Sequence, residues 1–422
     1  MLLDLIRNSL TTIDINEIST IKTRHCNSFK ELIDIYKKDL VITKSFIDCL
    51  AICCATHIAV KLESDPIWLY LVGPPSSGKS TICDLLSSDE KHTKALSKFT
   101  GLISGSVQGT HLVPSLQNKC VIIKDGTLIL ESNPQQLANV YGELRDIFDG
   151  SIEVSYRNGV QASFKNINFG MIIGITERIY QLNMSALGER FLHCRLETDR
   201  ENEILRNKTV INSLLSNIKL NTSEGNDEGD ARSFPIQKQH TSGFLNHLHN
   251  RLTDEEIIVP KYTTEDVNLI QALADVVACS RANVPKTYKG EEIAYDSRPE
   301  ASTRVAKQLA RLAIALCYVY NTKSFIPPIK SNLTKVGKDT SFGRQNKLIK
   351  TVALSTSGLN KSSLSALCNI PLESCNRKIE EMESLGIFEK QKEQSRIGSG
   401  RRNHIIVCPP WIVNSFKTVY NT

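Results

Sequence analysis

The chain has 422 residues, of which 41% are hydrophobic and 23% charged, and its formal net charge is +6. This composition excludes a disordered, collagenous or fibrous protein, and the length predicts two or three domains. The charge is uneven, because residues 285–422 hold 22 Lys and Arg against 11 Asp and Glu, whereas residues 1–284 have a small acidic excess. A basic C-terminal third favours a polyanion such as nucleic acid as a partner, although a solvated basic surface would have the same composition.

We expect neither a membrane-spanning segment nor a targeting peptide. The apolar run 49–60 is interrupted by Thr56 and His57 and is shorter than the ~20 residues that a bilayer span needs. The twelve cysteines form no C-x-x-C pair and lie mostly inside apolar runs, which predicts free buried thiols and a cytoplasmic protein. His25 and Cys26 are adjacent but have no second ligand pair near them, so we expect no metal site there.

The order of predicted elements indicates an α/β domain with a central parallel sheet. Residues 1–65 are predicted to be helical, and helical periodicity returns at 264–281 and 301–320. The polar, glycine-containing stretch 221–243 is predicted to be a flexible loop. Three short apolar runs resemble buried parallel strands. The predicted strands are 67–72, 120–123 and 169–175.

The strongest motif is a phosphate-binding loop. Residues 73–80 match G-x-x-x-x-G-K-[ST] and lie between a predicted strand and a predicted helix. The glycines let backbone N–H groups approach phosphates, and the start of a helix favours negative charge. Lys79 is expected to contact the β- and γ-phosphates of ATP, and the Ser80 hydroxyl is expected to bind Mg²⁺. The residues predicted to bind the nucleotide are Gly73, Pro74, Pro75, Ser76, Ser77, Gly78, Lys79, Ser80 and Thr81.

An acidic residue is expected at the end of a neighbouring strand, because Mg²⁺ at a phosphate loop is also held from that side. Asp125 follows the second predicted strand and is the candidate, either as a metal ligand or as the base that activates water. The sequence leaves open whether Lys124 or Gly126 completes the pair that ends this strand, and a plain surface Asp is the alternative. Glu131 and Glu143 are weaker candidates for a catalytic glutamate.

From residue 65 to residue 195 the order of features resembles AAA+ ATPases, and within them the minichromosome-maintenance-like helicases of phages, plasmids and genomic islands. The phosphate loop, the acidic strand, a hairpin-like stretch at 152–165 and the third strand follow one another as in that group. The third strand ends at Thr176, where many relatives have Asn, and the resemblance implies that Thr176 orients water or the γ-phosphate. The chain departs from the group by having no Glu directly after Asp125 and no room for the large N-terminal DNA-binding collar of the chromosomal proteins.

The resemblance also implies two arginines and an assembly, with ATP and Mg²⁺ as cofactors. Arg190 lies in a Leu-x-x-Arg-Phe sequence that resembles an arginine finger, which would reach the active site of a neighbouring subunit. Pairing with Glu189 or Glu197 is the alternative for this residue. Arg304 resembles a sensor 2 residue directed at the γ-phosphate, and a solvated basic helix face is its alternative. The assembly that the resemblance implies is a ring, most simply a homo-hexamer.

Two parts of the chain are predicted to contact DNA. Residues 152–165 alternate apolar and polar side chains around a turn, which predicts a hairpin with Arg157 at its tip and Lys165 at the end of its return strand. The resemblance implies that these residues would face single-stranded DNA in the channel of a ring, and a surface hairpin with one incidental arginine is the alternative. Residues 340–415 have three helical patterns and two strand-like runs, the layout of a winged helix. Winged helices contact duplex DNA but also dock on proteins. The candidate duplex contacts are Asn376, Arg377, Lys378, Arg396, Arg401 and Arg402.

Together these features predict an α/β AAA+ P-loop ATPase with a central parallel sheet, a helical lid and a C-terminal winged helix. The leading hypothesis is an ATP-dependent DNA helicase or translocase that serves a mobile genetic element or phage. The alternatives are an AAA+ loader or remodeller of another protein, and an ATP-binding regulator on DNA that does not unwind. The predicted divisions are an N-terminal helical region at 1–60, the ATPase core at 61–220, a polar loop at 221–243, the lid at 244–335 and the winged helix at 340–415.

Overall fold

A five-stranded parallel sheet is the centre of the molecule. The computed structural model describes residues 24–63, 65–97, 102–103, 111–127, 134–156, 158–159, 161–181, 190–216, 234–254, 259–284, 298–392 and 404–421. The strands are β1 (Trp68–Val72), β2 (Thr93–Leu96), β3 (Cys120–Ile123), β4 (Ser151–Ser155), β5 (Gln161–Lys165), β6 (Gly170–Ile175), β7 (Phe191–Arg195), β8 (Glu389–Lys392) and β9 (His404–Val407). The parallel sheet has the order β2-β3-β6-β1-β7, and the pairs β4-β5 and β8-β9 form two antiparallel hairpins.

Helices cover the sheet and form a thick layer behind it. The helices are α1 (Phe29–Asp39), α2 (Lys44–Ile58), α3 (Lys79–Leu86), α4 (Val113–Leu116), α5 (Pro134–Phe148), α6 (Arg200–Ser216), α7 (Pro235–Asp254), α8 (Thr264–Arg281), α9 (Thr303–Val319), α10 (Pro327–Thr340), α11 (Arg344–Ala353), α12 (Lys361–Cys368), α13 (Leu372–Ser384) and α14 (Pro410–Tyr420). None of the helices within the described residues combines the length and the apolarity needed to cross a membrane.

The alternation of side chains along the strands gives the sheet two buried faces. Leu69 and Leu71 of β1 point to a face covered by α2 and α3, whereas Trp68, Tyr70 and Val72 point to a face covered by α5 and the β4-β5 hairpin. All residues of β1, β3 and β6 are buried, as expected for parallel strands with helices on both sides. The α/β class and the three predicted strands are therefore confirmed.

The predicted loop at 221–243 is wrong from Pro235 onward, because α7 begins there. Its polar residues have buried partners that the sequence does not reveal: the Thr241 hydroxyl donates to the Gln237 carbonyl at 2.6 Å and also pairs with the Tyr36 hydroxyl of α1. A side chain at Gly243 would collide with the Arg24 carbonyl, 1.8 Å from an added Cβ. Close tertiary packing therefore makes a helix of a segment with a polar composition.

The C-terminal helices and hairpin continue the helical layer. Three helices, α11 to α13, and the β8-β9 hairpin lie within the predicted unit at 340–415, and α14 begins inside it at Pro410 and ends at Tyr420. Gln345 of α11 donates to the carbonyls of Cys279 and Ala282 at the end of α8, at 2.9 and 2.8 Å. The Ser415 hydroxyl of α14 donates to Asp275 of α8 at 3.1 Å. One hydrophobic cluster runs from the sheet to these last helices.

Arg311 of α9 holds the end of α2 in place. Its side chain is buried and donates to the carbonyls of Ala59, at 2.7 Å, and of Leu62 and Asp65, and burial lowers the pKa of its guanidinium to about 10.

We expect Arg311→Met to lower the free energy of unfolding by at least about 2 kcal/mol, because three carbonyls then lose their donor in a buried place. Urea unfolding of the variant and wild type measures the change. Arg344→Met removes an exposed arginine at the start of α11 and is the control. Equal stability of the Arg311 and Arg344 variants would contradict the role given to Arg311.

Candidate active site

The phosphate-binding motif forms a tight loop between β1 and α3, as predicted. Gly78, the residue before α3, has φ 104°, a backbone conformation that favours glycine. At the other end of the loop, a Cβ on Gly73 would lie 2.9 Å from the Ser77 hydroxyl and 3.1 Å from the Leu196 carbonyl. The loop therefore requires glycine at both ends, and it leads directly into the first turn of a helix that packs on the sheet.

The ammonium group of Lys79 lies inside this loop. Its Nζ donates to the carbonyls of Gly73 at 2.7 Å and Pro74 at 2.6 Å, and to the Ser77 hydroxyl at 3.4 Å. Burial lowers the pKa of Lys79, and the nearby carboxylate of Asp125 acts in the opposite direction. A cation enclosed by a loop at a helix N-terminus forms a site for an anion.

Asp125 lies at the same edge of the sheet. Strand β3 ends at Ile123, so Lys124 and Asp125 are the pair that follows it. Lys124 turns away and pairs with Asp84 of α3, whereas Asp125 is exposed and accepts the Thr127 N–H at 2.9 Å. Hydrogen bonds from Thr127 lower the pKa of Asp125, and the positive charge of Lys79 lowers it further. Asp125 is therefore a carboxylate close to the loop.

Packing explains why no glutamate follows Asp125. A Cβ on Gly126 would lie 2.5 Å from Cγ2 of Ile173 in β6, and the Gly126 N–H donates to the Gly174 carbonyl at 2.7 Å. Glu143 is engaged elsewhere, since its carboxylate accepts the Leu102 N–H at 2.6 Å, and Glu131 lies outside the described residues.

Sequence reasoning does not find Glu177, a carboxylate whose charge acts on Lys79. It follows β6 and pairs at 2.8 Å with Arg195, the last residue of β7. No motif marks either residue.

Thr176 is the first residue after β6, between the phosphate loop and Asp125. The Gly73 N–H donates to the carbonyl of Ile175, which places the start of the loop beside Thr176. The Thr176 hydroxyl is buried and has no hydrogen-bond partner among the described residues. A buried hydroxyl without a partner costs stability, so its presence at this edge favours a role with a ligand.

We expect Thr176→Val to separate stability from turnover. Valine has the same shape without the hydroxyl, so the variant should unfold at the same temperature as wild type or slightly above it. If the site hydrolyses ATP, the rate should fall about tenfold, the effect of losing one hydrogen bond to the reacting groups. Thermal unfolding and steady-state turnover are measured on the same preparation, and an unchanged rate would exclude the role of Thr176.

Arg190 and Arg304 lie together, but at the opposite edge of the sheet. Arg190 precedes β7, and its side chain is 9% exposed. Its guanidinium pairs with Asp149 at 2.9 Å and lies 5.5 Å from the centre of the Phe148 ring. Arg304 pairs with Glu300 at 2.8 Å and lies 6.0 Å from the centre of the same ring. The pairing of Arg190 with Asp149 differs from the alternatives considered from the sequence.

This arrangement separates the two arginines from the phosphate loop of their own chain. The five residues of β7 pair in parallel with those of β1, and Lys79 lies beyond the carboxyl end of β1 whereas Arg190 lies before the amino end of β7. Five residues of strand span about 16 Å. Neither arginine therefore reaches Lys79 within one chain.

The described residues place only some of the predicted DNA contacts. Lys165 is exposed at the end of β5 and pairs in register with Ser151. Arg377 is exposed and lies 3.3 Å from Glu373 on α13, whereas Lys378 pairs with Glu381, a carboxylate that is 8% exposed. The Asn376 amide oxygen is buried, although the residue as a whole is partly exposed. The predicted contacts outside the described residues are Arg157, Arg396, Arg401 and Arg402.

Comparison with protein-family models and curated proteins does not identify a family for this chain. No protein-family model matches the chain, and a search of curated proteins found no match. The chemistry of the site therefore follows from its own residues. A loop ammonium, helix N–H groups, the Ser80 hydroxyl and the Asp125 carboxylate fit a nucleotide phosphate with Mg²⁺, which prefers oxygen ligands.

Proposed function

We propose that the chain is an ATP-dependent DNA motor of the AAA+ type, which assembles as a ring, most simply a homo-hexamer, and unwinds or translocates along DNA. A mobile genetic element or phage is the setting that its resemblances favour. The observation that carries the proposal is the position of these residues on the parallel sheet. Lys79, Asp125 and Thr176 lie together at the carboxyl ends of the strands. Arg190 and Arg304 lie together at the amino ends.

Each residue of the carboxyl edge has a role in this proposal. ATP with Mg²⁺ supplies the phosphoryl group and a divalent charge beside it. Lys79 holds the β- and γ-phosphates, and Ser80 with Asp125 holds the metal. Thr176 orients the attacking water or the γ-phosphate. No glutamate fits after Asp125, so the proton of the water would pass either to another carboxylate of this edge or to Asp125, in which case Asp125 would not bind the metal.

The position of Arg190 and Arg304 at the amino edge of the sheet supports an active site that is shared between subunits. A guanidinium stabilises negative charge on the transferred phosphoryl group only when it reaches that group. Arg190 and Arg304 cannot do so in their own chain, but a head-to-tail contact would bring the arginine edge of one subunit to the phosphate loop of the next. Repetition of such a contact by rotation closes a ring.

Two alternatives are tested by one experiment. A strand-displacement assay with and without ATP, run beside an ATPase assay, distinguishes a helicase from a loader or remodeller that hydrolyses ATP without unwinding. An ATP-binding regulator would bind nucleotide and DNA, with neither unwinding nor appreciable hydrolysis. Unwinding that needs ATP supports the motor, and its absence on forked and tailed duplexes in the presence of active hydrolysis would contradict it.

The hairpin and the C-terminal unit should contribute to DNA binding in different ways. We expect Arg157→Ala to abolish both the stimulation of ATPase activity by DNA and the unwinding, because a cation between β4 and β5 would contact DNA phosphates in the channel.

Arg401→Ala with Arg402→Ala should weaken DNA binding at moderate salt and reduce the slope of log affinity against log salt by about one for each phosphate that is no longer neutralised. A salt titration beside an unwinding assay measures both, and full unwinding by Arg157→Ala would exclude the channel role.

A further inference from the structure

A buried cluster of imidazoles and one carboxylate lies away from the nucleotide site. His57 comes from α2, Asp89 and His92 from the turn between α3 and β2, and His249 from α7. His57, Asp89 and His249 are at most 1% exposed, and one donor atom from each lies within 4.8 Å of the others. The turn precedes the amino end of β2, whereas the phosphate loop lies at the carboxyl edge. The two sites are therefore separate.

The hydrogen bonds of the cluster orient its donor atoms toward one point. The Thr93 hydroxyl donates to the Leu86 carbonyl at 3.3 Å, so its oxygen is free to accept from Nε2–H of His57 at 2.7 Å. His57 Nδ1 then accepts a hydrogen bond from Nε2–H of His249 at 3.1 Å, so a metal ion bound to both nitrogens would take the place of this proton.

Two further groups are held in place but left unsatisfied. His92 Nδ1 bonds one carboxylate oxygen of Asp89 at 2.9 Å, and the His92 ring stacks on His249 with centroids 3.8 Å apart. The other Asp89 oxygen is buried without a hydrogen-bond partner in the described part of the chain, and a bound ion would satisfy it. Nδ1 of His249 is also buried without one among these residues, but it is not the nitrogen that faces His57. Leaving such groups unpaired in an apolar interior is costly.

We propose that His57, His249 and Asp89 bind a divalent transition-metal ion of the zinc type, which joins α2, α7 and the turn before β2. Two imidazole nitrogens and one carboxylate oxygen are ligands of three-residue zinc sites. Two nitrogens bound at 2.0–2.1 Å to one tetrahedral ion lie about 3.3 Å apart, close to the observed 3.1 Å. His92 acts through Asp89, as a hydrogen-bonded partner that orients a ligand.

The ion would join elements of the fold, with a water molecule in its fourth position. Its ligands are separated by 32 and 160 residues along the chain, so binding would fix α7 against α2 beside the edge strand β2. Such an ion adds its binding free energy to the stability of the folded chain, because the unfolded chain does not bring the three ligands together.

The test begins with the full chain, purified without chelators and after removal of any histidine tag. Elemental analysis should find about one transition-metal ion per chain, mainly zinc. Chelation at neutral pH should lower the melting temperature, and added Zn²⁺ should restore it. X-ray absorption of the bound zinc should show two imidazole ligands, a result that requires no variant. A folded chain without bound metal, which gains no stability from Zn²⁺ and shows no visible absorption with Co²⁺, would overturn the proposal.

Variants locate the ion. His249→Gln and Asp89→Asn should each reduce the bound metal to below about one tenth of an ion per chain, since each removes one of three ligands. His404→Gln, which removes an exposed histidine of β9, should keep the full amount. Lys79→Ala should also keep it, which separates this ion from Mg²⁺ at the nucleotide. Metal that persists in both ligand variants at wild-type occupancy would place the ion elsewhere and exclude the cluster.

Discussion

Lys79→Ala should reduce ATP turnover at least about 100-fold, the scale of the effect when one preorganised charge beside a reacting group is removed. The ammonium of Lys79 is already held inside the loop by the carbonyls of Gly73 and Pro74. The position of the loop, however, depends on its glycines and on the packing of α3, so the fold should remain. Steady-state hydrolysis and circular dichroism are measured side by side.

The control for Lys79→Ala is Lys119→Ala. Lys119 immediately precedes β3, at the amino edge of the same sheet, so its removal takes away the same charge outside the site. Turnover should remain at the wild-type rate in this variant. If Lys79→Ala hydrolyses ATP as fast as the control, the motor proposal fails as a whole.

Arg190→Ala should reduce hydrolysis about 1000-fold while ATP binding remains, the effect expected of an arginine that completes a neighbour's site. Mixing this variant with Lys79→Ala subunits should restore part of the activity. In a ring of random composition, roughly a quarter of the interfaces combine an intact loop with an intact arginine. Binding of a fluorescent nucleotide and turnover of the mixture measure the two effects.

Asp149→Asn is the matched control, because it breaks the ion pair of Arg190 but leaves the guanidinium. A role limited to holding α5 against β7 predicts that both variants lose activity and stability together. A role at the neighbouring site predicts that Asp149→Asn remains active, since its partner arginine is then released toward the interface. Normal hydrolysis by Arg190→Ala would exclude a shared active site and would argue against the ring.

The sequence predicts those parts of the fold in which local pattern and tertiary environment agree. Strands β1, β3 and β6 are continuous apolar runs because helices bury both of their faces, and the β4-β5 hairpin alternates because one face is exposed. The sequence does not predict strand β2, because this strand lies at the edge of the sheet and includes Lys94. It does not predict strand β7, because His193 and Arg195 interrupt the apolar pattern of that strand.

Some residues of the candidate site are likewise predicted from the sequence, whereas the arrangement of others depends on the folded chain. Lys79 and Asp125 are predicted because a short motif and a strand end determine their positions. The separation of Arg190 and Arg304 from Lys79 depends on the parallel pairing of β7 with β1, which only the folded chain defines. The His57, Asp89 and His249 cluster follows no spacing rule, because its members come from three elements that meet only in the core.

The packing of α14 on α8 has a consequence for biosynthesis. These two helices and α11 bury one another's apolar sides, and α14 is formed by residues 410–420. The layer behind the sheet therefore cannot close until α14 has left the ribosome, although α8 emerges well before it. During that interval the growing chain exposes the apolar side of α8, a surface that general chaperones bind. Folding of this part of the molecule must follow its translation.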